Sequence, residues 1–168
     1  PMSPNTETLA ASHDAPPATP AAPAIVDAVD TRYLQTLLGY NARRAALTVI
    51  DEFVPRMAQF GLRVVDFSIL SVIHHNPGIT SRQLCAALAL LPPNLVGKIG
   101  ALESRGLLAR QPHPQDGRAL GLHLTAEGQA LMARAEAEAV ALENDAAPGL
   151  TPAERRTLIR LLQKVYRP

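Results

Sequence analysis

Side chains that bind phosphates and base edges stand out between residues 81 and 118 of this sequence. This stretch carries Arg, Lys, Asn and His on two short predicted helices and on the turn-rich segment that follows them. Guanidinium and ammonium groups neutralise DNA phosphates, and an Asn amide can pair with the edge of an adenine. The candidate DNA contacts are Ser81, Arg82, Pro93, Asn94, Lys98, Arg110, His113 and Arg118.

A second group of polar side chains lies earlier, on one face of a predicted helix. Tyr40 and Arg44 are four residues apart and therefore share a face, and Arg43 is adjacent to them. A guanidinium binds a carboxylate through two parallel hydrogen bonds, so this face is a candidate site for an aromatic carboxylate. An exposed polar stripe, or an ion pair between subunits, is the alternative that the pattern leaves open.

The other reactive residue types do not indicate catalysis. The single cysteine, Cys85, excludes an intramolecular disulfide, and its apolar neighbours favour a small packing residue over a redox switch. His74 and His75 are adjacent, so on a helix they point about 100° apart and we expect no metal site there. The sequence shows no nucleophile–base pair and no phosphate-binding glycine loop. We therefore expect neither an enzyme nor a bound cofactor.

The hydrophobic pattern predicts helices for most of the chain. Apolar residues recur at three- and four-residue steps through 27–54, and Pro55 is expected to end or kink this helix. The same period continues through 62–75, after which Asn-Pro-Gly stops it. Long helices at both ends of the chain therefore flank a middle part with shorter elements.

Capping residues mark where three further helices begin. The N-caps are Thr80 with Gln83 at N3, Thr125, and Thr151 with Glu154 at N3. The second of these helices should run from 126 to about 147. The last helix is expected to bury Leu158, Leu161, Leu162 and Val165.

The order of elements in the middle of the chain predicts a winged helix-turn-helix. A short helix from 81 is followed by a helix over 92–104, and two strands, 107–110 and 119–124, flank a turn-rich segment. In such a unit the second helix lies in the major groove. The hairpin tip reaches the adjacent backbone or the minor groove. The fold class is therefore mainly α with a small β-wing.

The distribution of charge agrees with a DNA-binding middle. The formal net charge of the 168 residues is only +1, but residues 61–125 carry six bases against three acids and hold four of the five His. Residues 126–147 carry five acids and one Arg, whereas the segment from 150 onward carries five bases and one acid. A basic middle is a modest electrostatic signature of nucleic-acid binding. We assign Arg63 and Arg105 to solvated surface.

The stretch 62–131 resembles the MarR family of bacterial ligand-responsive regulators. The residues that carry the resemblance are 102–110 (LESRGLLAR), 116–119 (DGRA) and 124–128 (LTAEG), in this order and spacing. The flanking helices extend the resemblance to 27–167. It implies an obligate homodimer, joined by its first and last helices, that binds double-stranded DNA at an inverted-repeat operator. It also implies that Arg118 enters the minor groove and that Asp116 positions it.

The resemblance further implies an effector pocket between the first helix, the second helix and the winged lobe. Its wall would be formed by Tyr40, Arg43, Arg44, Phe60, Phe67, His74 and His75. Effectors of related regulators include hydroxybenzoates, cinnamates and pyridine carboxylates. The function expected on this ground is a repressor released from its operator by a small aromatic acid.

One departure from the family pattern keeps a second function open. Family members often carry Arg or Thr where this chain has Val96 and Gly97. The second helix therefore offers few side chains for hydrogen bonds to base edges. A protein-interaction or scaffolding module without DNA readout is the alternative.

The expected domain organisation has four parts. They are a Pro/Ala-rich disordered tail (1–24), a dimerisation helix (25–60), a winged lobe (61–125) and C-terminal dimerisation helices (126–168). The first part lacks the basic start and apolar run of a signal peptide, and no stretch of about 18 apolar residues occurs, so we expect a cytoplasmic protein without membrane contact.

Overall fold

The computed structural model describes the backbone of residues 28–113 and 116–167, with their side chains except those of 113 and 116–119. The expected tail, residues 1–24, lies outside the described residues. So do the side chains of His113, Asp116 and Arg118, three of the residues expected to act at the wing.

The N-terminal helix differs from its prediction at both ends. It is divided into α1 (Arg32–Gln35) and α2 (Leu38–Ala58), with Leu37 in an extended conformation between them. The Asn41 side-chain amide donates to the carbonyl oxygens of Gln35 and Leu37, both at 2.8 Å, and so bridges the break. Of the two expected outcomes at Pro55, an end or a kink, the end is ruled out because α2 continues through Pro55. Met57, which follows it, is fully buried, and this packing stabilises the last turn.

The winged lobe contains three helices and a three-stranded antiparallel sheet. Its elements are α3 (Val64–His75), β1 (Ile79–Thr80), α4 (Ser81–Leu88), α5 (Pro92–Ser104), β2 (Leu108–His113) and β3 (Asp116–Leu124). The strand order is β1-β3-β2. β1 was not predicted, because two residues are too few to show a period. The hairpin strands extend further toward the tip than their apolar residues indicated.

Two helices complete the chain, α6 (Ala126–Asp145) and α7 (Pro152–Tyr166). All three predicted N-caps are confirmed. The side-chain oxygens of Thr80, Thr125 and Thr151 accept hydrogen bonds from the backbone N–H groups of Gln83, Gly128 and Glu154.

The core lies inside the winged lobe and beneath α6, and it is aliphatic. Ile69, Ile73, Leu95, Ile99 and Leu102 recur at helical spacing and are at most 1% exposed. By contrast, α7 has no buried residue. The expected burial of its apolar face is wrong for the single chain, where Leu158, Leu161, Leu162 and Val165 are 37–62% exposed.

Within the described residues, no single helix is both long and apolar enough to cross a membrane. α4 and α5 reach the length and apolar character of a membrane span only when they are added together, and they are two separate helices bent by 113°.

Candidate nucleic-acid interface and effector site

The helix pair α4–α5 has the geometry of a helix-turn-helix. α4 begins at a complete capping box, in which the Thr80 N–H donates to Gln83 Oε1 at 2.9 Å. It ends at Ala89, which adopts a left-handed conformation with φ of 51°. The axes of α4 and α5 are then bent by 113°. Angles of about 90–120° are typical of this motif.

The two faces of α5 have opposite characters. Leu95, Ile99 and Leu102 hold its inner face in the core. Pro93, Asn94, Val96 and Gly97 are exposed on the other face, as predicted, and Val96 is 62% exposed. The Asn94 side chain makes no hydrogen bond with another described residue, so its amide is available to a base edge.

Lys98, a predicted DNA contact, already has an acidic partner in the free protein. Its Nζ lies 3.3 Å from Oδ1 of Asp66 on α3, and its side chain is only about one-third exposed. Asp66 is 8% exposed, and a carboxylate buried to this degree requires a charged or hydrogen-bonding partner. The Lys98 ammonium group is therefore paired with Asp66 rather than free on the exposed face of α5.

Ser81 and Arg82 form the first turn of α4. Ser81 is half-buried, whereas Arg82 is exposed and makes no ion pair with another described residue. The backbone N–H groups of a first helical turn lack intrahelical partners and attract a phosphate. The position of Arg82 beside these groups suits the phosphate contact that we predicted.

The wing is anchored to the end of α5 by an ion pair. Arg110 on β2 donates from Nε to Oε2 of Glu103 on α5 at 3.2 Å, and both side chains are more than one-third exposed. This predicted DNA contact therefore already has an acidic partner in the free protein. The tip residues 114 and 115 lie outside the described part of the chain.

Several residues of the stretches that resemble the MarR family, among them Gly106, Thr125 and Gly128, hold the wing against the neighbouring helices. Gly106 has a φ of +71°, which L side chains rarely adopt, and its carbonyl oxygen accepts a hydrogen bond from the Thr125 hydroxyl at 2.6 Å. A Cβ added at Gly128 would overlap the carbonyl oxygen of Leu107. These contacts join the end of α5 to the start of α6.

Arg105 was assigned to solvated surface, and this assignment is incomplete. Although the residue is exposed, its guanidinium donates to the backbone carbonyl oxygens of Gly61 at 3.0 Å and Phe60 at 3.3 Å. Arg105 therefore ties the end of α5 to the segment between α2 and α3. No sequence pattern indicates this contact, because its acceptors are backbone atoms 44 and 45 residues away.

The candidate effector residues fall into two groups. On α2, Tyr40 is half-buried, and Arg43 and Arg44 are exposed, with side chains that make no hydrogen bond to another described residue. Nearer the lobe, Phe60 and Phe67 are half-buried. These two rings are already engaged, since the Arg134 guanidinium lies 5.3 Å from the Phe60 centroid and Phe67 packs edge-to-face on Phe53 at 5.1 Å.

A small cavity reaches the lobe from the side of His74. It has a volume of about 90 Å³ and is lined by Ile73, His74, Pro77, His123, Leu124 and Gln129. Pockets for drug-sized ligands are typically about 300–1,000 Å³. This cavity is too small to enclose an aromatic acid.

His74 and His75 come together rather than apart. Their ring centroids are 5.0 Å from each other, and with Glu136 on α6 they place three ligand-capable atoms within 4.8 Å of one another. The expectation that adjacent helical positions keep the imidazoles apart is wrong. His75 is the last residue of α3, and two rotatable bonds in each side chain bring the rings to one side.

Comparison with known proteins agrees with this architecture. The profile of the MarR family matches residues 60–119. A putative transcriptional regulatory protein for the hcr operon of Thauera aromatica is 32% identical over 131 residues, which are 77% of this chain and 79% of that protein.

Two solved structures share both the fold and the sequence similarity. The transcriptional repressor CouR bound to a 23-mer DNA duplex aligns with a TM-score of 0.78 and 33% identity, covering 84% of this chain and all of the other. CouR bound to p-coumaroyl-CoA aligns with a TM-score of 0.74 and 32% identity, covering 83% and 99%. Together with the helix-turn-helix and wing, these similarities show that the chain belongs to the MarR family of winged-helix transcriptional regulators.

Proposed function

We propose that this regulator is a homodimeric repressor that an aromatic acyl compound, either a free acid or its CoA thioester, releases from an inverted-repeat operator. The observation that carries the proposal is the exposed face of α5, presented at 113° to α4 and followed directly by the wing. The family consists of transcriptional regulators rather than enzymes, and one similar repressor has been solved on DNA.

On DNA, we assign base contacts to the start of α5 and phosphate contacts to the elements around it. Asn94 and Pro93 face outward at the N-terminal turn of α5, the part of a recognition helix that reaches base edges. Arg82 meets the backbone from α4. His113 and Arg118 act from the wing, where Asp116 positions Arg118. Lys98 has a supporting role in the free protein, because Asp66 holds it.

The homodimer is supported by the apolar surface that the single chain leaves exposed. On α1 and α2, Leu34, Leu38 and Val49 are 38–64% exposed, and the whole apolar face of α7 is also exposed. Burying such surface is the main favourable term in association. Two recognition helices about 34 Å apart then require half-sites about 10 bp apart.

The effector site is assigned to Tyr40, Arg43 and Arg44 on α2 together with Phe60 and Phe67. The exposed guanidinium groups suit either the carboxylate of a free acid or the phosphates of CoA. The acyl group is of the hydroxybenzoate, cinnamate or pyridine carboxylate type, in keeping with the p-coumaroyl-CoA bound by a similar structure. Because the cavity at His74 is too small, we place the aromatic ring between α2 and the lobe. His74 lines the small cavity and His75 pairs with Glu136, so we leave these two predicted residues out of the proposed effector site.

One experiment tests both halves of this proposal. An inverted repeat selected from a random duplex library is labelled, and its binding is followed by anisotropy while p-coumarate, 4-hydroxybenzoate and their CoA thioesters are added. We expect at least one compound to weaken binding more than tenfold, and the Arg44→Ala variant to lose this response while Arg32→Ala retains it.

The outcomes separate the alternatives. Release by the thioesters alone identifies the CoA form, and release by the acids alone identifies the free form. If no compound changes binding, the effector half fails. If the affinity for the DNA duplex is independent of salt concentration, the DNA half fails and the chain is a scaffolding module without DNA readout.

A further inference from the structure

The C-terminal end of α3 and the middle of α6 bring together three side chains that DNA binding does not use. His75 Nε2 lies 3.0 Å from Oε1 and 3.2 Å from Oε2 of Glu136, and one ligand-capable atom of His74 completes a group within 4.8 Å. Imidazole nitrogen and carboxylate oxygen are common ligands of zinc and of related divalent ions. The two helices thus supply a mixed nitrogen and oxygen donor set.

The present distances fit an ion after small side-chain rotations. Bonds of about 2.0–2.2 Å to one ion place tetrahedral ligands roughly 3.4 Å apart. The contact between His75 and Glu136, at 3.0 and 3.2 Å, is already close to this separation. His74 must approach by up to about 1.4 Å, which requires a change in its side-chain torsions.

A neighbouring hydroxyl holds the carboxylate in position. Ser71 Oγ donates to Glu136 Oε1 at 2.7 Å, from one turn earlier on α3. Partners of this kind orient metal ligands, and their loss typically weakens metal binding by about 10- to 100-fold. The site is also open to solvent, because the His75 side chain is 63% exposed and that of Glu136 is 25% exposed.

We propose that His74, His75 and Glu136 bind a divalent transition-metal ion of the zinc, cobalt and nickel class, with water in the remaining coordination positions. The ion would join the end of α3, which leads directly into β1 and α4, to α6. This site is separate from the proposed effector residues on α2, and its test requires neither an operator nor an aromatic ligand.

The test is a titration of the full chain, free of any affinity tag and treated with a chelator, with Co²⁺ followed by its visible absorption. We expect one ion per chain and displacement by Zn²⁺. Glu136→Gln keeps the hydrogen-bonding shape but removes the charged ligand, and we expect it and His75→Gln to weaken Co²⁺ binding by about 100-fold or more. Ser71→Ala should weaken it by about 10-fold.

His123→Gln is the matched control. His123 lines the same cavity as His74 but is not part of the three-residue group, so this variant should bind Co²⁺ as the natural chain does. Thermal unfolding of each chelator-treated variant shows that it is folded. The proposal is overturned if the natural chain gives no saturable Co²⁺ spectrum, or if Glu136→Gln and His75→Gln bind normally, which would place the ion elsewhere, for example at His13.

Discussion

The ammonium group of Lys98 and the buried carboxylate of Asp66 lie 3.3 Å apart and connect the recognition helix α5 to α3. Lys98 is the single Lys or Arg within α5. The proposed recognition helix therefore has its one cation paired with a carboxylate of α3. Electrostatic attraction to DNA must then come from the start of α4 and from the wing.

Removing the charge of Asp66 should release Lys98 toward DNA. In the natural chain the Arg63 N–H donates to Asp66 Oδ2 at 3.3 Å. Asp66→Asn keeps an oxygen to accept this hydrogen bond but removes the negative charge that holds the Lys98 ammonium group. We expect the slope of log K against log salt concentration to steepen by up to about 0.9, one phosphate contact. Anisotropy titrations at several salt concentrations measure it. Lys98→Met is the control and should leave the slope nearly unchanged, and an unchanged slope in Asp66→Asn would contradict the prediction.

The wing should contribute affinity without base specificity. Arg118→Ala is expected to weaken binding to selected and unrelated duplexes by a similar factor and to reduce the salt slope by about 1, as for loss of a phosphate or minor-groove contact. Arg32→Ala is the matched control. The Arg32 side chain is 88% exposed, is paired with Asp30 two residues away, and belongs to α1 rather than to the winged lobe. A loss confined to the selected operator would instead assign Arg118 to base readout.

The exposed face of α7 should govern the oligomeric state. Leu161 is 49% exposed in the single chain, and Leu161→Glu would place a charge within the proposed dimer interface. We expect light scattering to show a monomer, or a dimer that dissociates at micromolar concentration. Leu120→Glu on β3, where Leu120 is 50% exposed, is the control and should stay dimeric. Equal behaviour of the two variants would remove α7 from the interface.

A methyl group at Gly128 should destabilise the folded state. A Cβ there overlaps the Leu107 carbonyl oxygen, which accepts from the Thr125 N–H at 3.2 Å, so the start of α6 would have to move away from the wing. Gly128→Ala should lower the free energy of unfolding by about 3 kcal/mol. Gly100→Ala, in the interior of α5 with open space around the new atom, should instead raise it by about 0.5–1 kcal/mol. Urea unfolding of both variants checks the difference in sign.

The capping box of α7 should lose its effect in acid. Hydrogen bonds from the Thr151 hydroxyl, and then from the Thr151 N–H, hold the pKa of Glu154 below its usual value. Because the folded pKa lies below the unfolded one, the box stabilises the fold above the unfolded pKa, about 4.3, and this contribution disappears as the pH falls through the folded pKa. Glu154→Ala should lower Tm at neutral pH and leave it unchanged near pH 2.

A control separates this box from general charge effects. Glu52 on α2 makes no hydrogen bond with another described residue, so Glu52→Ala should change Tm little at either pH. A Tm difference for Glu154→Ala that persists near pH 2 would show that the helix propensity of Ala, not the ionised box, determines the result.

Local signals predicted the elements of this fold well. Thr80, Thr125 and Thr151 cap helices through side-chain contacts three residues away, and these contacts depend only on neighbouring sequence. The buried faces of α3 and α5 follow the helical period for the same reason. The continuation of α2 past Pro55 was not predictable, since it depends on the tertiary packing of Met57.

Long-range pairings account for what the sequence left open at the candidate sites. The partner of Lys98 is 32 residues away, and that of His75 is 61 residues away. Hydrophobic periodicity does not reveal such pairs, so neither the pairing of Lys98 with Asp66 nor that of His75 with Glu136 was predicted. The exposed position of Asn94, which depends only on the face of α5, was predicted correctly.

The contacts of Thr125 and Gly128 couple the end of α5 to the start of α6, so the two helices should move together. α6 has 20 residues and is therefore about 30 Å long, and its first turn is held against Gly106 and Leu107 at the end of α5. A tilt of about 5° around its far end would shift the near end by roughly 2.6 Å, a distance comparable to the rise of one base pair, about 3.4 Å. In the proposed homodimer the displacements of the two protomers would add, so a tilt of a few degrees would change the spacing of the two α5 helices by about 5 Å.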